Sequence, residues 1–121
     1  MEVSSDSEGP APLDPRDGDQ LLRALAALAN PHRLRIVAVL VGGRQFVSEL
    51  AREVDLSRTL VHMHLQRLEA AGLITGSLEL SADGRAKKYF QATPFALDLT
   101  PETIRFAVQN MTNHSKTTRK K

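Results

Sequence analysis

The stretch SELAREVDLSRTLVHMHLQRLEAAGLITGSLELSADGRAKKY, Ser48 to Tyr89, decides the fold. Ser48 and Ser57 are N-cap residue types, each placed directly before a helical pattern, so one short and one longer helix are predicted from them. Gly72 follows Ala71 where a helix-ending residue adopts the left-handed conformation, and only glycine does so without steric cost. Beyond it, Asp83-Gly84 is a turn signal between two strand-like runs, Leu73 to Leu80 and Arg85 to Ala92. Two helices joined by a tight turn and followed by a β-hairpin form a helix-turn-helix with a wing, a shape that lays its second helix in a DNA major groove.

The face of that second helix, Ser57 to Ala71, follows from a rotation of about 100° per residue. Val61, Leu65 and Leu68 fall together and mark the buried side. Thr59, Met63 and Gln66 then point outward, with His62 and Arg67 on the flanks. Such a face is ordinary for a surface helix, and it also carries groups able to bond base edges and phosphates. Ser57, Arg58 and Thr59 occupy the first turn, the part of a recognition helix that approaches DNA most closely. The hairpin adds Arg85, Lys87 and Lys88 near its tip, where a wing reaches an adjacent minor groove. The other reading of these bases is a charged hairpin that avoids edge pairing.

Outward from this segment, residues 19–113 are predicted to form one domain, mainly α, with five helices and a two-stranded wing. The first helix, Asp19 to Ala29, is apolar nearly all round and has to be covered on both sides. The second runs from Asn30 (N-cap) and Pro31 to Gly42-Gly43, with Leu34, Val37, Ala38 and Val41 at the spacing of one buried face. A short strand is possible at Gln45 to Val47. The last helix starts at Thr100 and Pro101 and carries the stripe Ile104, Ala107, Val108 and Met111. Packed on Leu21, Leu22, Leu25 and Leu28 of a second copy's first helix, that stripe makes a homodimer interface. Residues 1–18 and 114–121 are predicted to be an acidic and a basic disordered tail.

Charge and composition narrow the function. The net charge of +2 divides into −5 over residues 1–20, +4 over 21–90 and +3 over 91–121. A basic body suits a polyanionic partner. With no cysteine, disulfides and thiolate metal sites are excluded, and a reducing cytoplasm fits. No run has the length and polarity pattern of a membrane span or a signal peptide, so a membrane is not among the expected partners. Neither a nucleophile–base pair nor a Gly-rich phosphate loop nor convergent carboxylates are visible, so an enzyme is not expected.

Two segments resemble the ArsR/SmtB family of winged-helix repressors. Ala29-Asn30-Pro31-His32-Arg33-Leu34-Arg35-Ile36 matches its Ala-Asp/Asn-Pro-x-Arg-Leu-x-Ile pattern. Leu56-Ser57-Arg58-Thr59-Leu60-Val61-His62-Met63-His64-Leu65 matches Leu-Ser-x-x-x-Val-Ser-x-His-Leu, with His62 in place of the usual Ser. With Leu68, Ala71-Gly72-Leu73 and the basic hairpin, the likeness covers roughly residues 19–113. It implies a dimeric transcription regulator on a two-fold symmetric operator, released or altered by an effector that is often a metal ion. The family's Cys-Val-Cys-Asp-Leu-Ala sequence is here Phe46-Val47-Ser48-Glu49-Leu50-Ala51, so both thiolates are missing.

Imidazole suits nickel and zinc, but His62 and His64 project about 160° apart on one helix and do not share an ion locally. His64 sits where packing within the domain is expected, and His32 is expected to be an exposed first-turn residue. A weak metal candidate is His114 with Asp17 or Asp19, a divalent nickel or zinc ion acting as effector rather than as a required cofactor. Arg33 and Arg35 are read as phosphate ligands, solvated residues, or structural partners of Glu49 or Glu53. The rival function is a winged-helix interaction module controlled by a partner protein, with neither DNA nor metal.

Overall fold

The computed structural model of the chain describes residues 17–112. Helix α1 spans Gly18–Leu28, α2 Pro31–Val41, strand β1 Gln45–Phe46, α3 Val47–Val54, α4 Arg58–Ala70, β2 Ile74–Leu80, β3 Ala86–Ala92 and α5 Pro101–Gln109. Of the tails expected over 1–18 and 114–121, residues 1–16 and 114–121 lie outside the described residues. Asp17 and Gly18 belong to the folded part, because the Asp17 carboxylate caps α1 by accepting from the backbone N–H groups of Asp19 (2.9 Å) and Gln20 (3.3 Å).

Caps explain most of the other helix ends. The Asn30 side chain accepts from the N–H groups of His32 and Arg33, and Pro31 presets the first turn of α2. Ser57 Oγ accepts from Leu60 N at 3.1 Å, and the Thr100 hydroxyl accepts from Thr103 N at 3.1 Å. Helix α3 departs from the expected pattern. It begins at Val47, so Ser48 is inside it, and the Glu49 carboxylate closes the start by accepting from Phe46 N at 2.9 Å. Between α3 and α4, Asp55 takes the left-handed conformation (φ 57°), which a short polar side chain tolerates, and turns the chain within three residues.

The expected two-stranded wing is the hairpin of β2 and β3, and β1 adds to it to make a three-stranded antiparallel sheet in the order β1-β3-β2. Phe46 of β1 lies opposite Tyr89 of β3, with the two rings stacked at 4.1 Å between centroids. Gly76 of β2 lies opposite Phe90, and a Cβ on it would meet Phe90 Cε1 at 3.0 Å. The nearest atom to that Cβ would be Lys88 Cε at 2.5 Å, the end of a flexible side chain, with the Phe90 ring in tight contact behind it.

The core lies among α2, α3, α4 and the root of the sheet. Leu50, Val61, Leu65, Leu68, Leu73, Ile74 and Phe90 are essentially inaccessible to solvent. Helix α2 enters this core with Ile36 and Leu40, with Val37 half-buried. The expected face was one step off: Leu34, Ala38 and Val41 are exposed. Helix α5 returns across α1 of the same chain. A Cβ on Gly18 would sit 2.5 Å from the Ala107 carbonyl oxygen and 2.7 Å from Met111 Cβ, so the two helices meet there backbone to backbone. Beside this contact the Asp19 carboxylate accepts from Thr112 N at 3.1 Å.

Candidate nucleic-acid interface

Helix α4 presents two unlike faces. Val61, Leu65 and Leu68 are buried completely in the core, while Thr59, His62, Met63 and Gln66 are exposed. The helix is thus anchored from beneath by aliphatic packing and offers a hydroxyl, an imidazole, a thioether and a carboxamide on its outer surface. Ser57 stands at the helix start with its oxygen accepting the cap bond, leaving its hydroxyl proton for an outside acceptor. Leu60 is also exposed on this helix, an apolar group the sequence reading left out.

The first-turn and wing bases converge in part. Arg58, Lys87 and Lys88 line one groove of about 390 Å³ together with Phe46, Val47 and Ser48 from the start of α3. Lys88 Nζ stands 3.7 Å from the Glu69 carboxylate, and Lys87 Nζ lies 5.0 Å above the Phe46 ring. Arg85 stands apart at the hairpin tip with a largely exposed side chain. The tip itself is well defined. Gly84 has φ 84°, and the Asp83 carboxylate accepts from the Ser81 hydroxyl and from Arg85 N. Those two bonds, the side-chain one first, hold Asp83 below the usual carboxylate range. Arg44, just before β1, grips Glu79 of β2 with two bonds (2.6 and 3.3 Å) and stacks on the Tyr89 ring at 4.0 Å. A pairing 35 residues apart leaves no local signal in the sequence.

Arg67 is exposed on the opposite flank of α4, toward α1 and α2. His64 beside it is buried, as its place in the helix suggested, and Arg33 supplies its partner. Arg33 Nη1 donates to His64 Nδ1 at 3.0 Å and Arg33 Nε donates to the Ala27 carbonyl at 2.7 Å. Arg33 is therefore structural, with His64 and Ala27 as its partners in place of Glu49 or Glu53. His32 is not the exposed residue expected, since its ring lies 5.7 Å from that of His64 and its Nδ1 is buried. Burial, then the positive charge of Arg33, His32 and Arg67, pushes the His64 imidazolium down from its ordinary pKa.

The residues expected at the dimer interface divide into two groups. Leu21 and Ala107 are buried within the chain, where they join α1 to α5. Leu22, Ile104 and Val108 remain exposed, Leu25, Leu28 and Met111 are half-buried, and Phe106 adds an exposed ring the sequence reading missed. For metal binding, His114 lies outside the described residues, Asp17 caps α1, and the Asp19 carboxylate bonds Thr112 N and its hydroxyl. Among the described residues no three His, Cys, Asp or Glu side chains are grouped to hold an ion. No single helix among them is long and apolar enough to cross a membrane.

A recognition-type helix on an apolar bed, a preceding helix across a three-residue turn and a basic hairpin together define a winged helix-turn-helix. A family model of the helix-turn-helix domain matches residues 28–76. An uncharacterized HTH-type transcriptional regulator of Methanocaldococcus jannaschii is 37% identical over 84 residues, covering 69% of this chain and 87% of that protein. NmtR of Mycobacterium tuberculosis is 36% identical over 66 residues, covering 54% of this chain and 55% of that regulator. The chain therefore spans about half the length of NmtR but most of the archaeal relative. Among solved structures, a homodimeric winged helix-turn-helix DNA-binding domain of Mycobacterium bovis, from a possible ArsR-family regulator, superposes with a TM-score of 0.52 at 26% identity, covering 75% of each chain. NolR of Sinorhizobium fredii gives a TM-score of 0.53 at 26% identity over 83% of this chain and 92% of its own. This chain belongs to the ArsR/SmtB family of winged helix-turn-helix transcriptional regulators.

Proposed function

We propose that the protein is a cytoplasmic homodimer that recognises a two-fold symmetric DNA operator and regulates transcription from it. Thr59, His62, Met63 and Gln66 would meet base edges in the major groove. Ser57, Arg58, Lys87 and Lys88 would hold the backbone, and Arg85 would enter the minor groove. Two copies joined through α1 and α5 would place their α4 helices in successive major grooves about 34 Å apart. The observation that carries this reading is the outward set on α4 above a fully buried Val61, Leu65 and Leu68.

Selection of duplexes from a random pool, followed by binding at several salt concentrations, tests it. A palindromic site and a steep fall of affinity with salt are expected, because each neutralised phosphate releases counterions. Absent or salt-insensitive binding would contradict it. Modulation by nickel or zinc is a separate proposal, since the described residues do not form a metal site. Repeating the selection with each ion tests that proposal, and unchanged affinity would remove it.

A further inference from the structure

On the flank of α4 away from the wing, α1, α2 and α4 border an open surface recess of about 200 Å³ lined by Arg23, Arg33, Arg67, Ala26, Ala27 and Ala70. Three arginines from three helices line it together with three alanines, whose small side chains leave room between them. Among the described residues, none of the three arginines has a carboxylate within ion-pair distance. The ion pairs there are Arg44–Glu79, Arg85–Asp83 and Lys88–Glu69. Arg33 uses Nε and one Nη1 donor on Ala27 and His64. A guanidinium has five N–H donors, so three remain.

Like charges this near one another repel. Burial first, then the charge of Arg67, lowers the proton affinity of the Arg33 guanidinium. A group of cations with unused donors and no counter-charge among the described residues is complementary to an anion, and the guanidinium fork matches carboxylate and phosphate oxygens two at a time. The volume admits a group the size of phosphate.

We infer that the Arg23–Arg33–Arg67 recess is a binding site for a phosphate-sized oxyanion, a site apart from the outward face of α4. The same chemistry is offered by a free oxyanion and by a phosphate of the DNA backbone. Free-anion binding stands without the DNA reading; only the duplex measurement rests on it.

The test titrates inorganic phosphate into the full-length protein at constant ionic strength made up with chloride, followed by amide NMR and calorimetry. Salt-dependent duplex binding is measured in parallel. If the occupant is a free anion, phosphate saturates the protein and shifts the amides of residues 23, 33 and 67. Arg23→Gln then weakens phosphate binding about tenfold, the loss expected for a charge-assisted bond, and leaves the duplex salt slope unchanged. Arg23→Glu, which supplies its own carboxylate, abolishes phosphate binding and raises the melting temperature. If the occupant is a backbone phosphate, Arg23→Gln lowers the duplex salt slope by about one unit. Phosphate acting no differently from chloride, together with an unchanged slope in Arg23→Gln, would overturn the inference. A parent that binds phosphate but no duplex would refute the operator reading and leave the anion site standing.

Discussion

Replacing Ile104 by serine should loosen the dimer by an amount that the exposure of its side chain sets. Within one chain Ile104 is 47% exposed, Phe106 46%, Val108 52% and Leu22 56%. Each is thus half covered by its own chain and leaves about half its surface for a partner. Full burial of a large aliphatic side chain contributes about 1.5–3 kcal/mol, so the remaining half contributes about 1 kcal/mol. A two-fold interface contains the residue twice, which brings the loss to about 2 kcal/mol and the dissociation constant up by about 30-fold. Val108→Asp should do more, because it sets an unpaired carboxylate into the same seam from both sides. Sedimentation velocity over a concentration series measures both constants. A parent monomeric at micromolar concentration, or an Ile104→Ser dimer of undiminished affinity, would refute the α1–α5 interface.

Three further outcomes are expected. Gly18→Ala should destabilise the chain by about 1–3 kcal/mol in urea unfolding, because the added Cβ collides with the Ala107 carbonyl oxygen; an unchanged midpoint would contradict the close α1–α5 contact. His64 has a folded-state pKa below the ordinary 6.5, so on acidification the unfolded chain takes up the proton first. Stability is therefore full above about pH 6.5 and falls as the pH drops from there through the folded-state value. His64→Leu should lack that part of the slope in unfolding followed against pH. Arg58 shares its groove with two lysines, the setting of a backbone contact, so Arg58→Ala should weaken all duplexes alike and lower the salt slope by about one unit. Loss of preference at a single base pair would instead make Arg58 a base reader.

The sequence made the α4–wing segment legible because local signals there agree with one another. Ser57 caps, Val61, Leu65 and Leu68 repeat, Gly72 stops the helix and Gly84 turns the hairpin, and each acts over four residues or fewer. Helix α2 was misread for the opposite reason. Leu34, Ile36, Val37, Ala38, Val39, Leu40 and Val41 are nearly continuous apolar sequence, so periodicity fits more than one face. The choice fell to the tertiary core, which receives Ile36 and Leu40.

The start of α3 shows the limit of residue type as a cap signal, since Glu49 reaching back to Phe46 displaced Ser48 from that role. Long-range pairings left no local trace: β1 on β3, Arg44 on Glu79, Arg33 on His64. At the candidate interface, single-helix geometry placed Thr59, Met63 and Gln66 correctly on the exposed side. It did not reveal that Arg58 and Arg67 face different neighbours, because their separation depends on what packs on each flank of α4.

The most direct measurement is duplex selection run in parallel on the parent and on the doubly substituted Thr59→Ala/Gln66→Ala chain. Both residues are exposed, so folding should survive. The parent should return a palindromic motif, and the variant should lose preference at a few symmetric positions within it while keeping the parent's salt slope. The same motif at the same affinity from both proteins would mean that DNA is not read by the outer side of this helix.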